Sequence, residues 1–221
     1  MEILKYTEAH LNFRKRLRRF LEKEVTPYAD EWEKAGIVPK TAWKKMGRAG
    51  FLCTEVSADY GGLGGDFLYS VMVTEEISRT SQNGLVAPLH SDIVVPYITS
   101  YASDALKKKY LPGCVSGDII TAVAMTEPGA GSDLASISTS AVEEGDEVVL
   151  NGSKTFISNG IIADLVVVAA RDPEVADPYQ AISLYLVESD TPGFEKGRRL
   201  KKMGLWSQDT AELFFSKCRI P

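Results

Sequence analysis

The sequence is poor in the residues and patterns that mark exported, membrane-spanning and metal-binding proteins. Its 221 residues include three cysteines and two histidines, and no Cys-x-x-Cys pair occurs. We therefore expect neither a disulfide framework nor a metal site. No apolar run approaches the roughly 18–20 residues of a transmembrane helix, and the first residues lack the patterns of a signal or transit peptide. These absences predict a cytoplasmic protein without a membrane span.

An excess of basic charge is also lacking. Lysine and arginine total 25 against 30 aspartates and glutamates, which gives a net charge of −5. Proteins that bind the phosphate backbone need a basic excess, so the balance disfavours nucleic-acid binding. Hydrophobic residues make up 44% of the chain, a value typical of a folded protein with a buried core.

The first half of the chain has helical periodicity. Apolar residues follow one face of residues 7–24, and the basic run on the remaining surface is interpreted as a solvated helix face. Further helices are predicted at residues 41–46, 68–76, 91–101 and 103–110. Ser103 or Asp104 is the expected cap of the last helix. Residues 1–118 are therefore predicted to form an all-helical domain.

Short apolar runs separated by turns replace this pattern in the second half. Strands are predicted at residues 119–125, 147–150, 154–158, 165–170, 182–187 and 212–215. Tight turns are indicated at Asn151-Gly152 and Asn159-Gly160. Several short strands without long helices are typical of an antiparallel β-barrel or sandwich. The predicted fold class is thus α+β, with the β domain over residues 119–221.

The glycine-rich segment AMTEPGAGSDL, residues 124–134, is the first candidate site. Its turn exposes backbone N–H groups, and Thr126 and Ser132 add hydroxyl donors. Such a loop suits a diphosphate or the polar edge of a heterocycle. The dinucleotide fingerprint G-x-G-x-x-G fails, because Leu134 replaces the third glycine and residues 136–140 alternate like a strand. Without further context, a purely structural loop is the simpler interpretation.

The segment NGSKTFISNG, residues 151–160, is the second candidate site. On a strand between two tight turns, Phe156 and Ser158 face the same side. A flat apolar ring beside a hydroxyl is what the stacking and edge-bonding of a flavin require. Taken alone, however, the pattern predicts a plain hairpin with Phe156 in the core.

Together these segments resemble the acyl-CoA dehydrogenase family. AMTEPGAGSDL is followed by LNGSKTFISNG and then by KMGLWSQDTAELFF, and the likeness spans essentially the whole chain. The long-chain branch is the most similar, on the strength of FISNG, RRLKKMGL and QDTAELFF. The resemblance implies an N-terminal helical domain and a middle β domain with FAD as cofactor, and it implies that the family's C-terminal helical bundle is absent from this chain.

The resemblance also implies roles for residues of the first segment. The main chain of Met125 and the main chain and hydroxyl of Thr126 would bind the pyrimidine edge of the flavin. Gly131 and Ser132 would approach the FAD diphosphate, and Ser132 would also bind the thioester substrate.

In the second segment the resemblance implies that Phe156, Ile157 and Ser158 flank the flavin ring. Many family members have tryptophan where this chain has Phe156, so a slightly smaller stacking area is expected. The acyl chain would lie against the helical domain, and residues 85–91 are our suggestion for that wall. His90 lies in this stretch, but we interpret it as a packed residue without a catalytic role.

No catalytic residue is assigned in this chain. The family's reaction needs a carboxylate base, which the resemblance places in the C-terminal domain, and no motif makes Glu127 that base. The intact enzyme is expected to convert a fatty acyl-CoA to a trans-2-enoyl-CoA in β-oxidation, to reduce an electron-transfer flavoprotein and to form a homotetramer. These 221 residues alone are expected to be inactive.

Two alternatives to a dehydrogenase stay open from the sequence. The chain could be a naturally short, non-enzymatic scaffold that binds FAD or acyl-CoA. It could also belong to an acyl-CoA oxidase or a flavin monooxygenase of the same fold.

Overall fold

The computed structural model describes residues 4–82 and 84–221. It divides into a helical unit, Met1–Ile119 with Lys202–Gln208, and a sheet unit, Ile120–Lys201 with Asp209–Pro221. The β domain is predicted as one continuous stretch, residues 119–221. In the structure, residues 202–208 within that stretch belong to the helical unit.

Helices in the described part of the helical unit follow the predicted periodicity. They are α1 (Glu8–Glu24), α2 (Ala29–Ala35), α3 (Lys40–Arg48), α4 (Phe67–Arg79), α5 (Val95–Tyr101) and α6 (Asp104–Ser116), with a π-helical turn at Leu89–Val94. Ser103 caps α6, since its hydroxyl accepts a hydrogen bond from the Leu106 amide. None of the helices in residues 4–82 and 84–221 has the length and hydrophobicity of a membrane span.

Helix α1 begins at a reciprocal cap between Thr7 and His10. The Thr7 amide donates to Nδ1 of His10 at 3.0 Å, and the His10 amide donates to the Thr7 hydroxyl. Phe13, Leu17 and Leu21 then follow on the buried face, as the periodicity predicts. This face packs against α4.

The basic face of α1 is mostly exposed, as predicted, but two of its arginines bind α4. Arg18 donates two hydrogen bonds, at 2.8 and 2.7 Å, to the buried carboxylate of Glu76 in α4. Arg14 pairs with Glu75 beside it. The bidentate contact with Arg18 lowers the pKa of Glu76 although burial opposes this. Part of the basic run therefore joins α1 to α4.

His90 lies wholly within the helical core. Its Nε2 is 3.0 Å from the Cys114 carbonyl and 3.5 Å from the Cys53 sulfur, and its ring meets Trp43 edge-on. Burial lowers the pKa of His90 to about 4. The packed interpretation is confirmed, and Leu85, from the same suggested acyl wall, is also fully buried.

Residues 202–208 join the helical unit through polar contacts. The Glu33 carboxylate accepts hydrogen bonds from the Trp206 amide at 3.0 Å and from the Ser207 amide at 3.3 Å. The Ser207 hydroxyl also donates to Oε1 of Gln82 at 2.9 Å. A Cβ at Gly84 would lie 2.1 Å from the Ser207 hydroxyl, so this position accepts only glycine without rearrangement.

The sheet unit contains one curled, mixed sheet in its described residues. Its strands are β1 (Thr121–Ala124), β2 (Ser140–Glu144), β3 (Glu147–Ser158), β4 (Leu165–Arg171), β5 (Ile182–Glu188), β6 (Phe194–Arg199) and β7 (Thr210–Ile220). The order is β1-β4-β2-β3-β7-β6, with β5 paired to β4. The predicted α+β class is confirmed. Two pairings differ from the predicted antiparallel arrangement, because β4 pairs in parallel with β1 and, at one position, with β2.

The turn predicted at Asn151-Gly152 is wrong. Both residues lie inside the long strand β3, opposite a bulge of β7 at which Lys217 has a φ of 48°. Gly152 is needed here for close packing, because a Cβ would lie 2.7 Å from the Thr139 Cα. The β2–β3 hairpin turns instead at Gly145, where φ is 68°. The turn predicted at Asn159-Gly160 is confirmed.

Gly47 provides a test of helix packing. A Cβ there would lie 2.3 Å from the Ser116 carbonyl group, where α3 crosses α6, so Gly47→Ala forces the backbones apart. We expect it to lower the free energy of unfolding by about 1–3 kcal/mol, the usual cost of overpacking. The matched control is Gly113→Ala, whose Cβ would meet the movable Ile119 side chain. Urea unfolding followed by tryptophan fluorescence measures the free energy of unfolding of both variants. Equal losses of stability would contradict the close backbone approach of α3 and α6 at Gly47.

Candidate functional site

The candidate site is built on residues 125–132, which we call the donor loop. It leaves the sheet at the end of β1 and turns back at residues 127–130. The Glu127 amide donates to the Ala130 carbonyl at 2.8 Å, and the Ala130 amide donates to the Glu127 carbonyl at 3.2 Å. A single 3₁₀ turn at Leu134–Ser136 follows in place of an α-helix. The rejection of the dinucleotide fingerprint is thus confirmed.

Several hydrogen-bond donors of the donor loop have no partner among the described residues. Within residues 4–82 and 84–221, the amides and hydroxyls of Thr126 and Ser132 and the amide of Gly131 make no hydrogen bond to another residue. Gly131 and Ser132 are exposed, and Thr126 is half-buried. A Cβ at Gly131 would meet nothing within 4 Å, so the space beside the loop is open. The loop therefore presents a set of uncharged donors to a ligand.

A buried ion pair lies beneath the donor loop. Nζ of Lys154 in β3 is 2.8 Å from a carboxylate oxygen of Glu127 and donates to the Met125 carbonyl at 3.0 Å. Lys154 is 1% exposed and Glu127 is 5% exposed. The main chain adds a further link, since the Thr155 amide donates to the Thr126 carbonyl at 2.9 Å. Strand β3 thus holds the loop at three successive residues.

The second half of the Glu127 carboxylate binds the start of the next strand. It accepts hydrogen bonds from the Ser138 amide at 2.7 Å, the Ser138 hydroxyl at 2.7 Å and the Thr139 amide at 2.9 Å. Burial raises the pKa of Glu127, but the bonds from Lys154, Thr139 and Ser138 outweigh it and hold that pKa at about 2. Glu127 is therefore ionised, and both of its carboxylate oxygens accept hydrogen bonds from the protein.

Phe156 is exposed and strained. It has a φ of 58° at a second bulge of the β3–β7 pair, where two residues of β3 face one of β7. An aromatic residue is unusual in this left-handed region, and such strain concentrates at functional sites. Phe156 is 68% exposed, so its interpretation as a core residue is wrong. The bulge turns a flat apolar surface outward, two residues from Lys154.

Ile157 and Ser158 differ from Phe156 in exposure. The Ile157 side chain is 3% exposed and packs in the core of the sheet, which leaves only its main chain for ligand binding. Ser158 is half-buried and pairs with Thr210 of β7. The structure thus joins Met125 and Thr126 directly to the strand that carries Phe156.

The residues that support the site were missed at the sequence level. No motif in the sequence marks Glu127 and Lys154 as a supporting pair. A signal was present, because a lysine on the inward face of a strand is almost never buried without a partner. An acidic residue in the neighbouring loop was the available partner.

The geometry fits a planar, polar-edged cofactor with an anionic part, such as FAD. Amides and hydroxyls that have no partner in the protein suit heterocycle edges and diphosphate oxygens. The exposed Phe156 ring offers a surface for stacking or edge contact with the heterocycle. No group of His, Cys, Asp and Glu among the described residues is placed to bind a metal ion.

Comparison with known proteins places both units in one family. Residues 7–118 match the model of the acyl-CoA dehydrogenase N-terminal domain, and residues 122–218 match that of the acyl-CoA dehydrogenase middle domain. The chain is 46% identical over 217 residues to the mitochondrial long-chain specific acyl-CoA dehydrogenase of Rattus norvegicus. That match covers 98% of this chain and 50% of the rat protein. The chain thus spans about half the length of the curated relatives that it matches.

Solved structures of the same family have a similar fold. An acyl-CoA dehydrogenase from Geobacillus kaustophilus superposes with a TM-score of 0.95 at 55% identity, over all of this chain and 58% of that one. A glutaryl-CoA dehydrogenase from Mycobacterium smegmatis in complex with FADH2 superposes with a TM-score of 0.89 at 27% identity. The second match covers 98% of this chain and 54% of that one.

The pKa of Glu127 predicts a loss of stability in acid. Its folded-state pKa of about 2 lies below the ordinary value of 4.5, so its ionisation stabilises the fold above pH 4.5, and that stability is lost as the pH falls toward 2. We expect the urea midpoint of the sheet unit, followed by amide NMR signals, to fall between about pH 5 and about pH 3. Glu127→Gln should flatten this fall. An equally steep fall in the variant would contradict the assignment.

Proposed function

Since this chain belongs to the acyl-CoA dehydrogenase family, we propose that it forms the FAD-binding and acyl-CoA-binding part of a dehydrogenase for long-chain acyl-CoA. The observation that carries this proposal is the set of donors without a protein partner in the donor loop, which β3 holds, together with the exposed, strained Phe156 of the same strand. The FADH2 complex of a structural neighbour and the long-chain relatives support it.

The chain's own residues would bind and orient the cofactor. The amide and hydroxyl of Thr126 would donate to the flavin edge, while the carbonyls of Met125 and Thr126 already accept bonds from β3. The Gly131 amide and the Ser132 hydroxyl would donate to the diphosphate, and Ser132 would also contact the substrate. Phe156, the main chain of Ile157 and Ser158 would lie along the ring.

The reaction needs a base that this part of the chain does not offer at the donor loop. Bound FAD supplies the acceptor for the hydride that leaves the β carbon of the thioester. Removal of the α proton requires a carboxylate within reach. Glu127 is excluded because its oxygens already accept four hydrogen bonds. We propose that a further part of the enzyme, beyond the half shared with the relatives, provides the base.

Three properties of the intact enzyme are part of the same proposal. Electrons pass to an electron-transfer flavoprotein, four subunits form a homotetramer, and the reaction belongs to fatty-acid β-oxidation. A cytoplasmic location stays a prediction from the sequence, and the names of several relatives specify mitochondria.

The proposal predicts that the 221-residue chain binds FAD and does not turn over substrate. We would titrate FAD into the purified chain, record the visible spectrum, and then add a long-chain acyl-CoA with a dye acceptor. FAD binding without dye reduction is expected. Dye reduction by this chain would refute the missing base, and undetectable FAD binding would refute the cofactor site.

The alternatives give different outcomes. A non-enzymatic scaffold predicts a stop codon after residue 221 in the coding frame, whereas the dehydrogenase predicts further helical sequence with a carboxylate. An acyl-CoA oxidase or a monooxygenase would consume oxygen in preference to reducing the dye when the complete enzyme is assayed.

Phe156 provides a test within the site. Asparagine tolerates a positive φ, so Phe156→Asn should raise the free energy of unfolding by about 1 kcal/mol. Loss of the ring should weaken FAD binding by up to about tenfold. The matched control is Lys217→Asn, at the other bulge of the same strand pair, with a φ of 48°. It should stabilise equally and leave FAD affinity unchanged; equal affinities in both variants would contradict the role of Phe156.

A further inference from the structure

Lys154 is in an unusual place for a lysine. Its side chain is fully buried in the sheet unit, although the long stem and charged head of lysine normally reach water. Among the described residues, its Nζ donates to two groups, the Glu127 carboxylate at 2.8 Å and the Met125 carbonyl at 3.0 Å. Both belong to the donor loop. The hydrogen bonds of the Lys154 ammonium therefore all go to the donor loop.

Glu127 connects the start of the donor loop to residues 138 and 139, where the chain re-enters the sheet. One oxygen contacts Lys154 and the Thr139 amide, and the other contacts the amide and hydroxyl of Ser138. Residues 128–137 lie between these contacts, so a single carboxylate closes the loop. Its buried charge disfavours opening, because an ionised group without partners is costly in the interior.

Thr126 lies in sequence between Met125 and Glu127, the two donor-loop residues that Lys154 contacts. The Met125 carbonyl before it is held by Lys154, and its own carbonyl is held by the Thr155 amide at 2.9 Å. Both peptide groups that flank the Thr126 Cα are thereby oriented. Strand pairing alone would not do this, since β1 ends at Ala124.

Stability alone is a weak reason for such a pair. Replacing a buried ion pair with apolar side chains of similar volume is often neutral or stabilising, whereas removing one partner is strongly destabilising. A role in orientation accounts for the pair, because directed bonds from Lys154 and Glu127 define positions that apolar packing would leave variable.

We propose that Lys154 and Glu127 are positioning residues, which hold the Thr126, Gly131 and Ser132 donors in the binding geometry before the cofactor arrives. The ligand's identity rests on the proposed function; the ordering of the donor loop does not. Because a pre-ordered site binds without a further entropic cost of ordering, the pair raises affinity for FAD without touching it.

The test uses the double variant Glu127→Leu/Lys154→Met in the full chain, with Val187→Ala as control. The double variant removes both charges together and so avoids a buried unpaired charge. Val187 is fully buried at the far end of β4–β5, and its truncation lowers stability without touching the loop. Hydrogen exchange of residues 125–139 in the absence of FAD is measured by mass spectrometry, and the Kd for FAD is measured by fluorescence titration.

We expect the double variant to exchange faster over residues 125–139 and to bind FAD about tenfold more weakly, a loss of ~1.4 kcal/mol. Val187→Ala should leave both values unchanged. Wild-type exchange and affinity in the double variant would overturn the proposal, as would equal effects in the control. If the wild-type chain itself binds no FAD, the proposed function fails, and the exchange measurement still decides the role of the pair.

Discussion

The buried ion pair of Lys154 and Glu127 is the constraint on which the site depends. It joins the end of β1, the middle of β3 and the approach to β2 through contacts of 2.7–3.0 Å. Neither charge has access to water, so each must keep its protein partners. The backbone of the donor loop is therefore determined by electrostatics in a region where no strand or helix determines it.

Strain at Phe156 is the counterpart of this constraint. The same strand that anchors Lys154 bulges two residues later, and the positive φ there turns an aromatic ring outward. Such a conformation persists only where its surroundings hold it. Here the buried neighbours Thr155 and Ile157 and the paired strand β7 provide that support. The ion pair orders the donor loop, and the strained backbone of Phe156 exposes its ring. Together they provide polar donors and a flat apolar surface for one ligand.

Periodicity and turn residues suffice to predict the fold class, most of the helices and the presence of uncharged hydrogen-bond donors in the donor loop. They failed where a long-range contact overrides local preference. Asn151-Gly152 is a strong turn signal, yet it lies inside β3, because pairing with β7 and close packing on Thr139 outweigh it. Exposure of Phe156 depends on a bulge that arises only from that pairing. The strand pattern indicates that Lys154 could be buried. It does not predict the hydrogen bond from Lys154 to the Met125 carbonyl, which joins two distant parts of the chain.

Protection of amides by FAD would show whether the donor loop and Phe156 together form the cofactor-binding face. Hydrogen exchange of the complete chain is compared with and without saturating FAD. The donor loop at residues 125–132 and the strand around Phe156 should be protected, because their donors without a protein partner and exposed ring form the binding face. Residues 202–208 belong to the helical unit and serve as an internal reference. Unchanged exchange in the donor loop while FAD binds would contradict the account.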